Sequence, residues 1–136
     1  MSTESLRMAA ILLIVVPTIE YGGYSLLRMI SKRTPGYLDN PVRRHLFRAG
    51  HAHAGVWVIF ALVALLYVDR ANLSDTAKTI VRVGFAAGPI LTPLGFFLAV
   101  VSPKAEKPNK MIVFTYLGAA ALAVATVWLG IGLLQA

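Results

Sequence analysis

Met8-Ala9-Ala10-Ile11-Leu12-Leu13-Ile14-Val15-Val16-Pro17-Thr18-Ile19-Glu20-Tyr21-Gly22-Gly23-Tyr24-Ser25-Leu26-Leu27 is an apolar run broken by a single charge. The hydrocarbon core of a bilayer takes about 20 apolar residues of helix, which is the length of this run. It opens like a secretory signal, with Arg7 ahead of the apolar block. It then continues through Pro17 to Tyr24 without the small-residue site at which a signal is cleaved. The run reads as a retained transmembrane helix.

Three further runs of the same kind follow, at 49–68, 79–101 and 111–134. The expected fold is an all-α integral membrane protein: one domain over residues 1–136, a four-transmembrane-helix bundle with antiparallel up-down topology. Composition agrees. Hydrophobic residues make up 57% of the chain and charged ones only 14%, whereas soluble domains average about 45–50% apolar. There are no cysteines, which excludes disulfides, thiolate metal sites and cysteine nucleophiles. The net charge of +7 does not indicate a nucleic-acid partner, because the Lys and Arg sit in loops beside apolar spans rather than on one exposed face.

Those loops set the expected orientation. The segment 28–48 carries Arg28, Lys32, Arg33, Arg43, Arg44 and Arg48, and the segment 102–110 carries Lys104, Lys107 and Lys110. Arg7, Arg70, Lys78 and Arg82 fall on the other side. The positive-inside rule then places loops 28–48 and 102–110 in the cytoplasm and both termini outside a cytoplasmic membrane. Within the first loop, Thr34-Pro35-Gly36 is turn chemistry, and Asn40-Pro41 is a helix cap followed by a first-turn proline. Arg43, Arg44 and Arg48 are expected to hold lipid headgroups, each worth roughly 1 kcal/mol. His45 reads as an interfacial residue. Asn72 or Ser74 should cap the third helix, and Arg82 is near enough to its start to snorkel.

Lipid tails are as apolar as leucine, so helices associate in membranes through close backbone approach between small residues. The fourth span offers Thr115, Ala119, Ala123, Thr126 and Gly130; the third, Gly84, Gly88 and Thr92; the second, Gly50, Ala54 and Ala61. These stripes predict packing within the chain, with the fourth-span stripe as the alternative surface for a homo-oligomer. Gly88-Pro89 and Thr92-Pro93 predict a kinked third helix with carbonyls at Phe85 and Pro89 that lack their usual partners.

Function is sought where polar groups enter the apolar runs. Ionisable side chains inside a membrane are costly and are functional-site hypotheses by default. Glu20 is one, lying about 10 Å from Leu27 and about 15 Å from the basic segment at 30–33. His51 and His53, in Gly50-His51-Ala52-His53-Ala54-Gly55, lie roughly 5–8 Å in from Arg48 on the same side. On antiparallel neighbours these three groups have similar depth and are expected to approach one another. Residues i and i+2 of a helix point roughly 200° apart, so the two imidazoles should flank the Gly50–Ala54 stripe unless the segment is locally extended.

Four chemistries fit Glu20, Tyr24, His51 and His53. A transition metal (Zn, Fe or Cu) takes imidazole nitrogen and carboxylate oxygen, with Glu20, His51 and His53 as ligands. Haem iron takes an axial histidine, but two histidines on one helix cannot clamp one haem from both faces. Glu20 can carry a proton in a transporter. A Glu/His pair can perform acid–base chemistry on a lipid-soluble substrate, which leaves enzymatic activity open and catalytic residues unassigned. The expectation placed first is an intramembrane Glu/His site near the cytoplasmic side that binds a metal ion or metal-containing cofactor. A proton-coupled transporter using Glu20, and an accessory subunit of a larger membrane complex, are the alternatives. Membrane lipids, a second copy or partner membrane subunits are the expected partners.

Overall fold

A computed structural model describes all residues, Met1–Ala136, as four helices with no strands: α1 Thr3–Ser31, α2 Pro41–Val68, α3 Asp75–Ala99 and α4 Val113–Leu134. Each is long and apolar enough to cross a membrane. The helices outrun the apolar runs at both ends of α1 and at the starts of α2 and α3, because local caps, rather than hydropathy, decide where a helix starts. The Ser2 side chain accepts from the Ser5 amide and starts α1 ahead of Met8. Asn40 accepts from the Arg43 amide, with Pro41 at the first helical position, as its sequence predicts. Of the two candidates for α3, Ser74 is the cap, accepting from Ala77. Asn109 caps a short 3-10 turn at Lys110–Ile112 that leads into α4.

The end of α1 is a Schellman closure. The Thr34 amide bonds to the Met29 carbonyl and the Arg33 amide to that of Ile30, while Arg33 takes a positive φ of 48°. That geometry satisfies carbonyls the helix end would otherwise leave bare.

α3 is the most buried helix, and glycine is what lets α4 come so close to it. A Cβ on Gly84 would stand 2.8 Å from the Ala121 carbonyl oxygen, and one on Gly88 2.9 Å from the Leu122 Cβ. From the other side, a Cβ on Gly118 would meet Thr92. Thr115 of α4 donates to the Thr92 carbonyl at 3.0 Å. The third-span stripe therefore packs inside the chain, as expected. Of the fourth-span stripe only Thr115 does so: α4 meets α3 through Thr115, Gly118, Leu122, Ala125 and Leu129, all buried, while Ala119, Ala123, Thr126 and Gly130 are exposed. On α2, Gly50, Ala54 and Ala61 are buried, with Gly50 against Phe96 and Phe97. Pro89 and Pro93 are buried within a helix that runs on through both.

The two basic loops share one end. Asn40 Nδ2 donates to the carbonyls of Pro103 and Ala105 at 3.1 and 3.0 Å, and Gly36, at φ +74°, packs directly on Pro103. At the opposite end, Asn72 of the α2–α3 link bonds to the Gly132 carbonyl at 2.8 Å, and Leu73 packs on Gly132.

That end also corrects one expectation. Arg82 does not snorkel to the surface; it is buried and forms an ion pair with Asp69 at 2.6 Å. Its Nε donates to Ser5 Oγ at 3.0 Å, and Asp69 also accepts from the Ser2 amide at 2.6 Å. The pairing prevails because the sequence supplies a carboxylate and two hydroxyls within reach, so the guanidinium gains more from them than from moving outward.

Candidate functional site

α2 stays helical from Pro41 to Val68, so the locally extended alternative for the His-x-His segment is not adopted. Helical spacing then sends the imidazoles to opposite flanks of the buried Gly50–Ala54 stripe. His51 turns to α1: a Cβ on Gly23 would lie 3.1 Å from its Cε1 and 3.2 Å from its Nε2. The double glycine in α1 is what leaves room for that ring. His53 turns the other way, with its ring 5.3 Å from Phe96 of α3 and 6.0 Å from Trp57, centroid to centroid.

Each histidine therefore lines its own cavity. The first, about 400 Å³, lies between α1, α2 and α3 and is walled by His51, Ser25, Phe47, Pro89, Pro93 and other apolar residues. It sits where α1 stands off from its neighbours, since α1 buries only Ser5, Leu12 and Leu26. The second, about 630 Å³, is a groove between α2, α3 and α4. His53, Trp57, Phe60 and Phe96 form one side, and Thr92, Thr115, Ala119, Ala123 and Thr126 the other. Ala119, Ala123 and Thr126 on that side are small side chains that α4 does not use against α3.

The groove has two polar features that sequence spacing does not reveal. His53 Nδ1 lies 2.7 Å from the Ala49 carbonyl one turn back. A carbonyl only accepts, so Nδ1 is the donor, and the tautomer with that single proton has its lone pair on Nε2. Metal-ligating histidines are held this way, the second ring nitrogen fixed by a carbonyl or carboxylate. Thr92 Oγ1 is the second feature, a buried hydroxyl with no hydrogen-bond partner. Buried polar groups are ordinarily paired, and the Tyr37 hydroxyl, in the loop before α2, is the other exception.

Glu20 and Tyr24 lie elsewhere. Both are exposed on the outer face of α1, Tyr24 at 59%, and Glu20 lines neither cavity. Tyr24 leans towards Tyr21, with centroids 6.3 Å apart. Glu20, His51 and His53 thus face three different ways, and no three His, Asp or Glu side chains of one chain are placed to hold a metal ion. Shared depth is not shared direction: α1 presents Gly22 and Gly23 to α2, which turns Glu20 outward.

The arginines divide as well. Arg43 donates to the carbonyls of Val100, Gly36 and Val101 and lies 4.6 Å over the Phe47 ring. Arg44 donates to the Leu38 carbonyl at 3.2 Å. Arg48 is exposed.

The chain is all-helical, with four helices long and apolar enough to cross a membrane and two cavities between them, each lined by one imidazole. No protein-family model, curated protein or solved structure matches it.

Proposed function

We propose that this is a multi-pass protein of the cytoplasmic membrane that holds a flat, metal-containing ring cofactor of the haem class through His53. Its four spans alternate in direction, with both termini outside and loops 28–48 and 102–110 in the cytoplasm. The observation that carries the cofactor reading is the bond from His53 Nδ1 to the Ala49 carbonyl, which leaves Nε2 as a ready axial ligand. A bare metal ion needs three or four protein donors, whereas a tetrapyrrole brings its own four and asks for an axial one. The groove offers one imidazole, the aromatic side chains of Trp57, Phe60 and Phe96, and opposite them a lining of alanines and threonines. Its volume falls in the range of about 300–1,000 Å³ typical of ligand sites.

Transport coupled to Glu20 stands second. Its support is the cleft beside α1, but Glu20 points away from that cleft, so the carboxyl does not line a path within one chain.

The test is the visible spectrum and metal content of protein purified without chelator or histidine tag. A Soret band lost in His53→Ala and kept in His51→Ala is the expected result. Colourless, metal-free, folded protein overturns the cofactor reading and moves the function to proton coupling or to a subunit role.

A further inference from the structure

The outer face of α1 presents a carboxyl where the chain gives it nothing to bond. Leu13, Pro17, Glu20, Tyr24 and Leu27 alternate at four and three residues, form one stripe, and are all exposed. Leu13, Pro17 and Leu27 suit lipid, as does the ring of Tyr24 though not its hydroxyl. Glu20 does not, because hydrocarbon replaces none of the hydrogen bonds that water gives a carboxyl. Tyr24, one turn later, does not hydrogen-bond to it within the chain. Helical side chains lean back towards the N-terminus, however, so the Tyr24 side chain reaches along the roughly 6 Å that separates the two Cα levels.

We propose that α1 packs against α1 of a second copy of this chain about a two-fold axis, each Tyr24 hydroxyl donating to the partner's Glu20. The stripe carries both the acceptor and the donor that satisfies it, and that self-complementarity is the property of an isologous interface. Lipid tails supply no donor. A different protein bearing a Lys or Arg would satisfy Glu20 alone and leave the tyrosine hydroxyl of the same stripe unpaired. In the two-copy arrangement Leu13 and Leu27 close the seam on either side of the polar pair, and the single polar layer sets its register. The Glu20 site is incomplete in one chain and complete in two. The inference is independent of any cofactor at His53.

The chain has no cysteine, so single-cysteine variants report this contact without background. Full-length Leu13→Cys and Val124→Cys proteins, the second on the exposed face of α4, are oxidised in native membranes and compared on non-reducing gels. Leu13→Cys is expected to give a disulfide-linked dimer and Val124→Cys a monomer. Adding Glu20→Leu to Leu13→Cys should reduce the linked fraction several-fold, and Glu20→Gln, which still accepts from tyrosine, should preserve it. A Leu13→Cys protein that links no better than Val124→Cys overturns the proposal. So does a link to a different protein, or a dimer that Glu20→Leu leaves unchanged.

Discussion

The Arg82 guanidinium meets the Asp69 carboxylate at 2.6 Å, joining the start of α3 to the end of α2, and both hold the first turn of α1 through Ser2 and Ser5. Burial opposes ionisation of Asp69, but the Ser2 amide, Arg82 and the two hydroxyls outweigh it and hold the carboxyl well below the usual carboxylate range. A depressed folded-state pKa stabilises the protein while the unfolded chain's carboxyl is also ionised. Stability should therefore be flat above about pH 4 and fall as the pH drops below it, because the unfolded chain takes up the proton first. Asp69→Asn should flatten that acid limb in detergent unfolding curves, and Arg82→Ala should cost about 3 kcal/mol by stranding the carboxylate. An acid limb that survives Asp69→Asn would show that another group sets it.

Close approach of α3 and α4 gives a second expectation. Gly84→Ala puts a methyl 2.8 Å from the Ala121 carbonyl and the Ala125 Cβ, backbone and short side chain that cannot swing away. It should cost about 1–3 kcal/mol by overpacking. Gly130→Ala meets nothing within 4 Å and should be neutral or gain about 0.5–1 kcal/mol from helix propensity. Equal thermal midpoints for the two variants would contradict the helix contact.

Arg33 occupies a left-handed position that glycine prefers, and its side chain makes no hydrogen bond. Arg33→Gly should raise stability by about 0.5–1 kcal/mol in the same unfolding assay, since the Schellman closure of α1 is kept and its strain removed. A loss of stability would mean the arginine charge contributes more than the backbone costs.

Arg43 aims its fork at three carbonyls that end α3 and line the neighbouring loop. Lysine offers a point charge in place of that fork. Arg43→Lys should therefore recover little of the stability lost in Arg43→Ala, each variant falling by about 2 kcal/mol. Full rescue by lysine would return this residue to a headgroup role.

Much of this chain could be read directly. The Asn40-Pro41 start and the Gly84–Gly88 packing face follow from local chemistry, because a cap is satisfied within three residues and a small residue shows where a backbone can approach; for α3 the same chemistry left Asn72 and Ser74 both open. The opposite directions of His51 and His53 also follow, from the helical turn alone. The fate of Arg82 was hidden because Ser5 and Asp69 lie 77 and 13 residues away from it in sequence. The direction of Glu20 was hidden because depth along a helix constrains height and leaves rotation about the helix axis free.

The sequence by itself determined that there are four helices able to cross a membrane, that Asn40-Pro41 starts the second, and that two imidazoles on a helical α2 flank one stripe. Those features depend on hydropathy, helical periodicity and short-range hydrogen bonds, all properties of neighbours in the chain. Only the tertiary structure decided which neighbour each flank meets: Gly22 and Gly23 beside His51, Phe96 and the α4 groove beside His53, and no group of its own chain bonding Glu20. Rotation of each helix about its axis is fixed by packing against helices distant in sequence, and a periodic pattern cannot name that partner.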